Sequence, residues 1–277
     1  MKVKKIIITS ILLVVFFSAF YFATMFLGKV YQRKKVNKIL IQAREAAKNL
    51  ETVKIKGRTL FGPEIKIDNQ GVIDYVKGQF SIIQTQNEIM LSAVYYVDKF
   101  TYMYNGMLVS WIKFGEDLDM FGDILNKEKL LSSFPVDFKG TGFNVEILRE
   151  EEVQGQLCYV LESSVVDEKL AKEFMLKFLD KFVSGQVARS LKDNKEARDQ
   201  YLDKYVKNSN SVQWIAKDNF YAIKVVNKLK QENDKGEMIE VKNEAIYYDF
   251  NQPVKIELPE DAKGAKLITA EDIGIRE

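Results

Sequence analysis

Only a few side chains in this chain could attack, transfer a proton or hold a metal. Cys158 is the one thiol in 277 residues, and histidine is absent. Without imidazole there is no Ser-His-Asp or Cys-His nucleophile system and no His-based zinc site. A lone Cys closes no intramolecular disulfide, so a single copy must fold on its core alone. Cys158 lies in Leu157-Cys158-Tyr159-Val160, among apolar neighbours, where a free Cys acts as a small buried hydrophobe. Carboxylates are the remaining route, in Glu116-Asp117-Asp119 and Glu150-Glu151-Glu152. Neither cluster has the alternating ligands, central Gly and final Glu of an EF-hand. A glycosidase pair must face itself across a cleft, which sequence spacing does not show. Both clusters flank turn signals and read as solvated loops. The expectation is no enzyme, no cofactor and no metal.

Charge narrows the partners further. The first 28 residues hold three of the 41 basic residues and none of the 39 acidic ones, so the remainder is close to balance. A nucleic-acid binder needs a concentrated basic face to replace phosphate counterions, and no nucleic-acid partner is expected.

The elements that would position any site follow from hydrophobic period. Val36, Ile39, Leu40, Ala43, Ala47 and Leu50 recur at spacings of three and four, which predicts a helix with one apolar face. Val53 and Ile55, then Ile65 and Ile67, alternate with charged residues, the pattern of half-buried strands. Turns are predicted at Gly62-Pro63, at Asn69-Gln70-Gly71 and at Asn105-Gly106, the last because both residues tolerate positive φ. Further strands are expected over 78–85, 89–97, 100–104 and 109–114, a short helix over 127–131, and strands over 143–148 and 156–163 joined near Gln154-Gly155.

A helical insertion is expected over about 166–207. In it Val166, Leu170, Phe174, Phe178 and Phe182 fall at every fourth place, with Ala171, Met175, Leu179 and Val183 one position on, forming a broad apolar stripe. Strands return over 212–216, 221–230 and 237–250. Val254, Ile256 and Leu258 alternate once more, and the tail from Glu260 reads as poorly ordered apart from Leu267 and Ile268. The fold class expected is α+β: a single strongly curved antiparallel sheet, a half-open barrel, with helices covering its concave face.

Ahead of this domain, residues 6–27 form an apolar run without a charge, directly behind Lys2, Lys4 and Lys5. As a helix at about 1.5 Å per residue, the run reaches roughly the 30 Å of a bilayer core. Ala19 and Ala23 are poor cleavage positions, because Phe17 and Tyr21 stand two places before them. The segment 1–28 therefore reads as an uncleaved signal anchor, a transmembrane helix, and 29–277 as one domain. A literal charge count, with Lys29, Arg33, Lys34, Lys35 and Lys38 after the run, puts the domain in the cytoplasm. A short basic leader is instead the layout of a secretion signal, and long domains translocate despite their charge. The expected location is the cell membrane, with the domain outside the cytoplasm.

Several phrases then point to a family. They are Tyr95-Tyr96-Val97-Asp98-Lys99 leading into Tyr102-Met103-Tyr104-Asn105-Gly106, with Trp111-Ile112-Lys113 after it; then 155–161 from Gly155 to Leu161; and the ending Tyr248-Asp249-Phe250-Asn251-Gln252-Pro253-Val254-Lys255-Ile256-Glu257-Leu258-Pro259. Their order resembles the LolA-like lipoprotein-carrier superfamily, over about residues 36–268. The resemblance implies binding of a lipid, lipoprotein or other hydrophobic ligand between sheet and helices, with Leu170, Phe174, Phe178 and Phe182 as candidate contacts. An ordinary core-facing helix is the other reading of that stripe. The chain departs from the Gram-positive relatives in lacking a lipid-attachment Cys near its N-terminus, and a tethered protein does not shuttle. Some superfamily members contact another envelope protein in stress signalling, so a sensor or scaffold role stays open beside ligand binding.

Overall fold

The computed structural model describes residues 32–63, 65–116, 121, 125–133, 140–182, 198–199, 202–203, 206, 209–232, 236–269 and 272. Helix α1 (Gln32–Lys48) precedes six strands: β1 (Thr52–Phe61), β2 (Ile65–Asp74), β3 (Gln79–Gln86), β4 (Ile89–Val97), β5 (Phe100–Asn105) and β6 (Ser110–Phe114). Helix α2 (Lys127–Ser133), β7 (Phe143–Val153), β8 (Gln156–Val165) and α3 (Glu168–Phe182) follow. Then come β9 (Ser209–Ala216), β10 (Ala222–Glu232), β11 (Met238–Tyr248), α4 (Glu260–Lys263) and β12 (Lys266–Ile268). The protein is α+β, and the described strands form one sheet in the order β12-β6-β5-β4-β3-β2-β1-β11-β10-β9-β8-β7. β12 and β7 are its two edges, so the sheet is open rather than closed into a barrel.

Pairing of β1 with β11, from Lys54↔Tyr248 to Phe61↔Val241, joins the two halves of the chain across the helical insertion. The apolar faces read from sequence meet on one side of this sheet. Val36, Ile39, Leu40, Ala43 and Ala47 of α1, and Leu50 after it, pack with Val53, Ile73, Phe80, Val94, Phe114, Leu161, Ile215 and Tyr247 in one buried cluster. The Val, Leu, Ile and Phe side chains among them contribute about 1.5–3 kcal/mol each when fully buried. Lys127, entering α2, closes the exit of α1: its Nζ donates to the carbonyls of Lys48 at 3.0 Å and Leu50 at 2.8 Å. This satisfies acceptors that a helix C-terminus leaves open.

Six details depart from the sequence reading. Asn69-Gln70-Gly71 is not a turn; β2 runs straight through it. Asn69 is held by side chains of the strands on both sides, and Gly71 leaves room where a Cβ would lie 3.2 Å from the Ser81 carbonyl. In the β5–β6 connection, positive φ falls at Val109 (48°) rather than at Asn105 or Gly106. Gly106 is needed for space instead, since a Cβ there would sit 2.7 Å from the Leu91 carbonyl. Val166 precedes α3 and is exposed. Residues 252–259 form no strand; Ile256 and Leu258 cover Tyr95, Tyr102 and Trp111 on the opposite side of the sheet. The tail beyond Glu260 is ordered: Trp111 Nε1 donates to Asp261 Oδ2 at 2.8 Å, Ala262 is buried, and β12 pairs with β6. That last pairing is parallel, against the wholly antiparallel expectation.

Candidate functional site

Strand register fixes which residues share the helix-covered face. Along β1 these are Val53, Ile55, Gly57, Thr59 and Phe61, and each pairing carries the alternation into the next strand. Through β1–β6 and β8–β11 the inward positions carry no Asp, Glu, Lys or Arg. The charges stand on the other face, as in the Arg58–Asp68 pair at 2.9 Å and Lys224–Glu244 at 2.7 Å. Between the edge strands the inward face is neutral; on the edges, register sets Lys266 of β12 beside Ile112 and Glu150 of β7 beside Tyr159.

It is not uniformly apolar. Across its middle runs a row of uncharged polar side chains. On one half they satisfy one another: Ser92 Oγ donates to Gln84 Oε1 (2.6 Å), and Gln84 Nε2 to Asn69 Oδ1 (3.0 Å). Asn69 Nδ2 then donates to Thr59 Oγ1 (3.1 Å), and Thr59 Oγ1 to Asn243 Oδ1 (2.6 Å). Every donor points the same way along four strand gaps, so each bond polarises the next. Past Asn243 the row continues through Asn227, Ser211 and Ser163, which face each other in register. Gln213 lies one inward position nearer α1.

On one side of this row is the core against α1 and α2. On the other the face stays apolar with Phe61, Ile67, Leu229, Val241 and Phe143, and here α3 meets the sheet. Phe174 packs edge-to-face on Phe143, with centroids 6.0 Å apart and planes at 77°, and Met175 and Leu202 group with Phe143, Leu176 and Leu229. Leu170 and Phe174 are half-buried; the side chains of Phe178 and Phe182 lie outside the described residues. The structure thus brings Phe174 to the face, and Met175 more deeply than the fourfold spacing alone implied.

At this end of the sheet the β1–β2, β3–β4, β5–β6 and β10–β11 connections carry exposed apolar residues: Ile65, Ile89, Met107, Leu108, Val109 and Met238. Met107 is 70 % exposed and Val109 76 %. An apolar rim therefore borders the apolar half of the neutral face.

The chemically reactive candidates lie elsewhere. Glu150 bonds Lys217 at 2.8 Å, and that contact, with Lys35 beyond it, holds its carboxyl below the usual carboxylate range. Glu151 is held down in the same way by Arg149 at 2.6 Å. Lys217 also sits 4.9 Å above the Tyr159 ring. Glu116 lies 3.8 Å from Lys99, while Asp117 and Asp119 are outside the described residues. Among the described residues, no three His, Cys, Asp or Glu come close enough to hold a metal ion.

The polar row was missed from sequence. Its signal was present: Thr59, Asn69, Gln84, Ser92, Ser211, Asn227 and Asn243 occupy alternate places in strand-like runs whose other alternate places are apolar.

The site is thus an amphipathic face between an open sheet and a helix. No protein-family model matches the chain, and no curated protein matches it. Among solved structures it is similar to lipoprotein LppX of Mycobacterium tuberculosis, at 13 % identity over 80 % of this chain and 97 % of that one, with a TM-score of 0.45. It is similar to LprF of Mycobacterium bovis at 14 %, over 80 % and 96 %, with a TM-score of 0.46. A domain from Vibrio parahaemolyticus, described as that of an outer membrane lipoprotein-sorting protein, shares 10 % over 80 % and 95 %, with a TM-score of 0.30. At TM-scores below 0.5 these are likenesses in outline.

Proposed function

We propose that this is a binding domain for a lipid, lipoprotein or other hydrophobic ligand, taken up on the apolar half of the neutral face beneath α3. The observation that carries this is the apolar rim. Six large apolar side chains stay in water where that half of the face opens, and exposed apolar surface of this kind marks an interaction site or binding groove. Phe174 and Leu170 are the described contacts; Phe178 and Phe182 belong to the same proposal. A flat sheet with eleven strand gaps of about 4.8 Å would be about 50 Å wide. Helix α1 is only about 25 Å long, yet residues from β6 to β8 share its buried cluster, which favours a sheet curled around its helices as a half-open barrel.

Tethering belongs to the same reading. Among the described residues no helix is long and apolar enough to cross a membrane, and residues 6–27 lie outside them. That run, behind three lysines, would hold the domain at the cell membrane on its outer side. The exposed rim equally suits a sensor or scaffold whose tips dock on another envelope protein.

Uptake of pyrene-decane separates the two. A ligand face takes up this neutral probe with a rise in pyrene emission, and Phe174→Ala changes the affinity while costing less than the ~3–5 kcal/mol of a packed core Phe. No uptake, with a full core-sized loss of stability in Phe174→Ala, would leave only the docking role.

A further inference from the structure

The polar row is satisfied on one half and unsatisfied on the other. From Ser92 to Asn243 each side chain has a partner, as described above. Beyond Asn243, Asn227 Oδ1, Ser211 Oγ and both amide atoms of Gln213 are buried without a hydrogen-bond partner. Gln213 is 1 % exposed and Ser211 4 %. An unpaired buried polar group carries a desolvation cost, so native proteins bury few of them. Four such atoms on two adjacent strands, β9 and β10, are a concentration that neither packing nor strand formation requires, because Val or Leu would fill the same inward places.

Their position is specific. Register sets Asn227 opposite Ser211, and Gln213 opposite Val225 and Leu161, on the face that α3 covers. Leu161, Val225 and Ile215 of the main core lie on one side, and Leu229, Phe143 and Met175 on the other. The group that completes these bonds must therefore be small and flanked by hydrocarbon. It must also be uncharged, since the inward positions around it hold no cation or anion. It must donate as well as accept: Gln213 Nε2 and Ser211 Oγ call for an acceptor, whereas Asn227 Oδ1 and Gln213 Oε1 call for a donor.

We infer that Gln213, Ser211 and Asn227 form a subsite for the neutral linkage of an acylated ligand. That linkage has a carbonyl beside an N–H or O–H, as in a secondary amide or a hydroxyl next to an acyl ester. A free fatty-acid anion finds no countercharge there, and a simple ester supplies no donor. This inference rests on the ligand-binding reading and adds the chemical class that the site selects. Discrimination of this kind is strong where a site is built to pair a polar group, because the wrong ligand leaves buried groups unmatched.

The test uses the full chain held in amphipol, loaded with pyrene-decane and titrated with three competitors of one chain length: N-ethyl hexadecanamide, ethyl hexadecanoate and hexadecanoate. The wild type should bind the amide about tenfold or more tighter than the ester or the anion. Gln213→Leu, close in volume, should erase that preference while keeping pyrene-decane uptake and losing no thermal stability, since it removes unpaired buried atoms. Ser211→Ala should reduce the preference and serves as the second variant if Gln213→Leu folds poorly. Uptake of the probe with equal affinity for all three competitors overturns the subsite and leaves the ligand-binding reading standing. Absence of probe uptake overturns both. A marked loss of stability in both variants without change in preference would assign these side chains to the fold alone.

Discussion

Cys158 is enclosed with Val160, Trp214, Ala216, Ile223 and Val226 on the face away from α1, fully out of water. Burial raises its thiol to about 11 from an ordinary 9.0, with the nearby Asp218 and Glu151 carboxylates adding to the rise. The thiolate is thus scarce at neutral pH, which leaves the side chain a packing element. The linkage sign follows: the unfolded thiol ionises first, so the folded state holds the extra proton and stability falls as pH rises from about 9 to about 11. The loss is at most about 2–3 kcal/mol from two pKa units. Urea midpoints should accordingly drop further for the wild type than for Cys158→Ala between about pH 8 and about pH 11; parallel losses would place the titration on other groups.

Among the elements, α3 depends on a single glycine. Gly142 has φ +80°, and a Cβ there would lie 2.2 Å from the Ala171 nitrogen and 2.4 Å from the Asp167 carbonyl. Its own carbonyl accepts from the amides of Val166 and Asp167 at 2.9 and 3.0 Å. The start of α3 is pinned to the start of β7 through this contact. Gly142→Ala should displace α3, lowering stability by about 1–3 kcal/mol and weakening pyrene-decane uptake together. A loss of stability with uptake unchanged would separate α3 from the binding face. The position of α3 over Phe143 is hidden in the sequence for this reason: residues 140–142 lie between two predicted elements and carry no periodic signal.

What was legible were the elements with a strong period. The face of α1 and the alternation in β1 and β2 announced themselves, because one side repeats at fixed spacing. The misread places were decided by partners far along the chain. Asn69-Gln70-Gly71 has turn composition, but Thr59 and Gln84 hold it in a strand. Ile256 and Leu258 alternate like a strand yet serve as a strap over Tyr95 and Trp111. The polar row acquires meaning only once register sets Asn227, Asn243 and Thr59 in line, a pairing between residues more than 180 apart in sequence for β1 and β11.

At the scale of the whole molecule, charge and apolarity are sorted by face. The outward face carries ion pairs that interact with water, the inward face is neutral between its edge strands, and the short β12 closes one edge while the charged β7 hairpin protects the other. The tail offers a handle on topology, since Lys263 is exposed on α4 while Cys158 is enclosed. Lys263→Cys should react with an impermeant thiol reagent in intact cells if residues 6–27 anchor the domain outside the cytoplasm. Labelling only after lysis would put it inside.

The central claim is that the neutral inward face holds a hydrophobic ligand, and mass spectrometry of an organic extract of the purified full chain tests it most directly. The account predicts an acylated lipid in near-stoichiometric amount, uncharged at its acyl linkage and depleted when Phe174 and Gln213 are replaced together. An extract free of lipid, from protein that is folded and takes up no pyrene-decane, would contradict it.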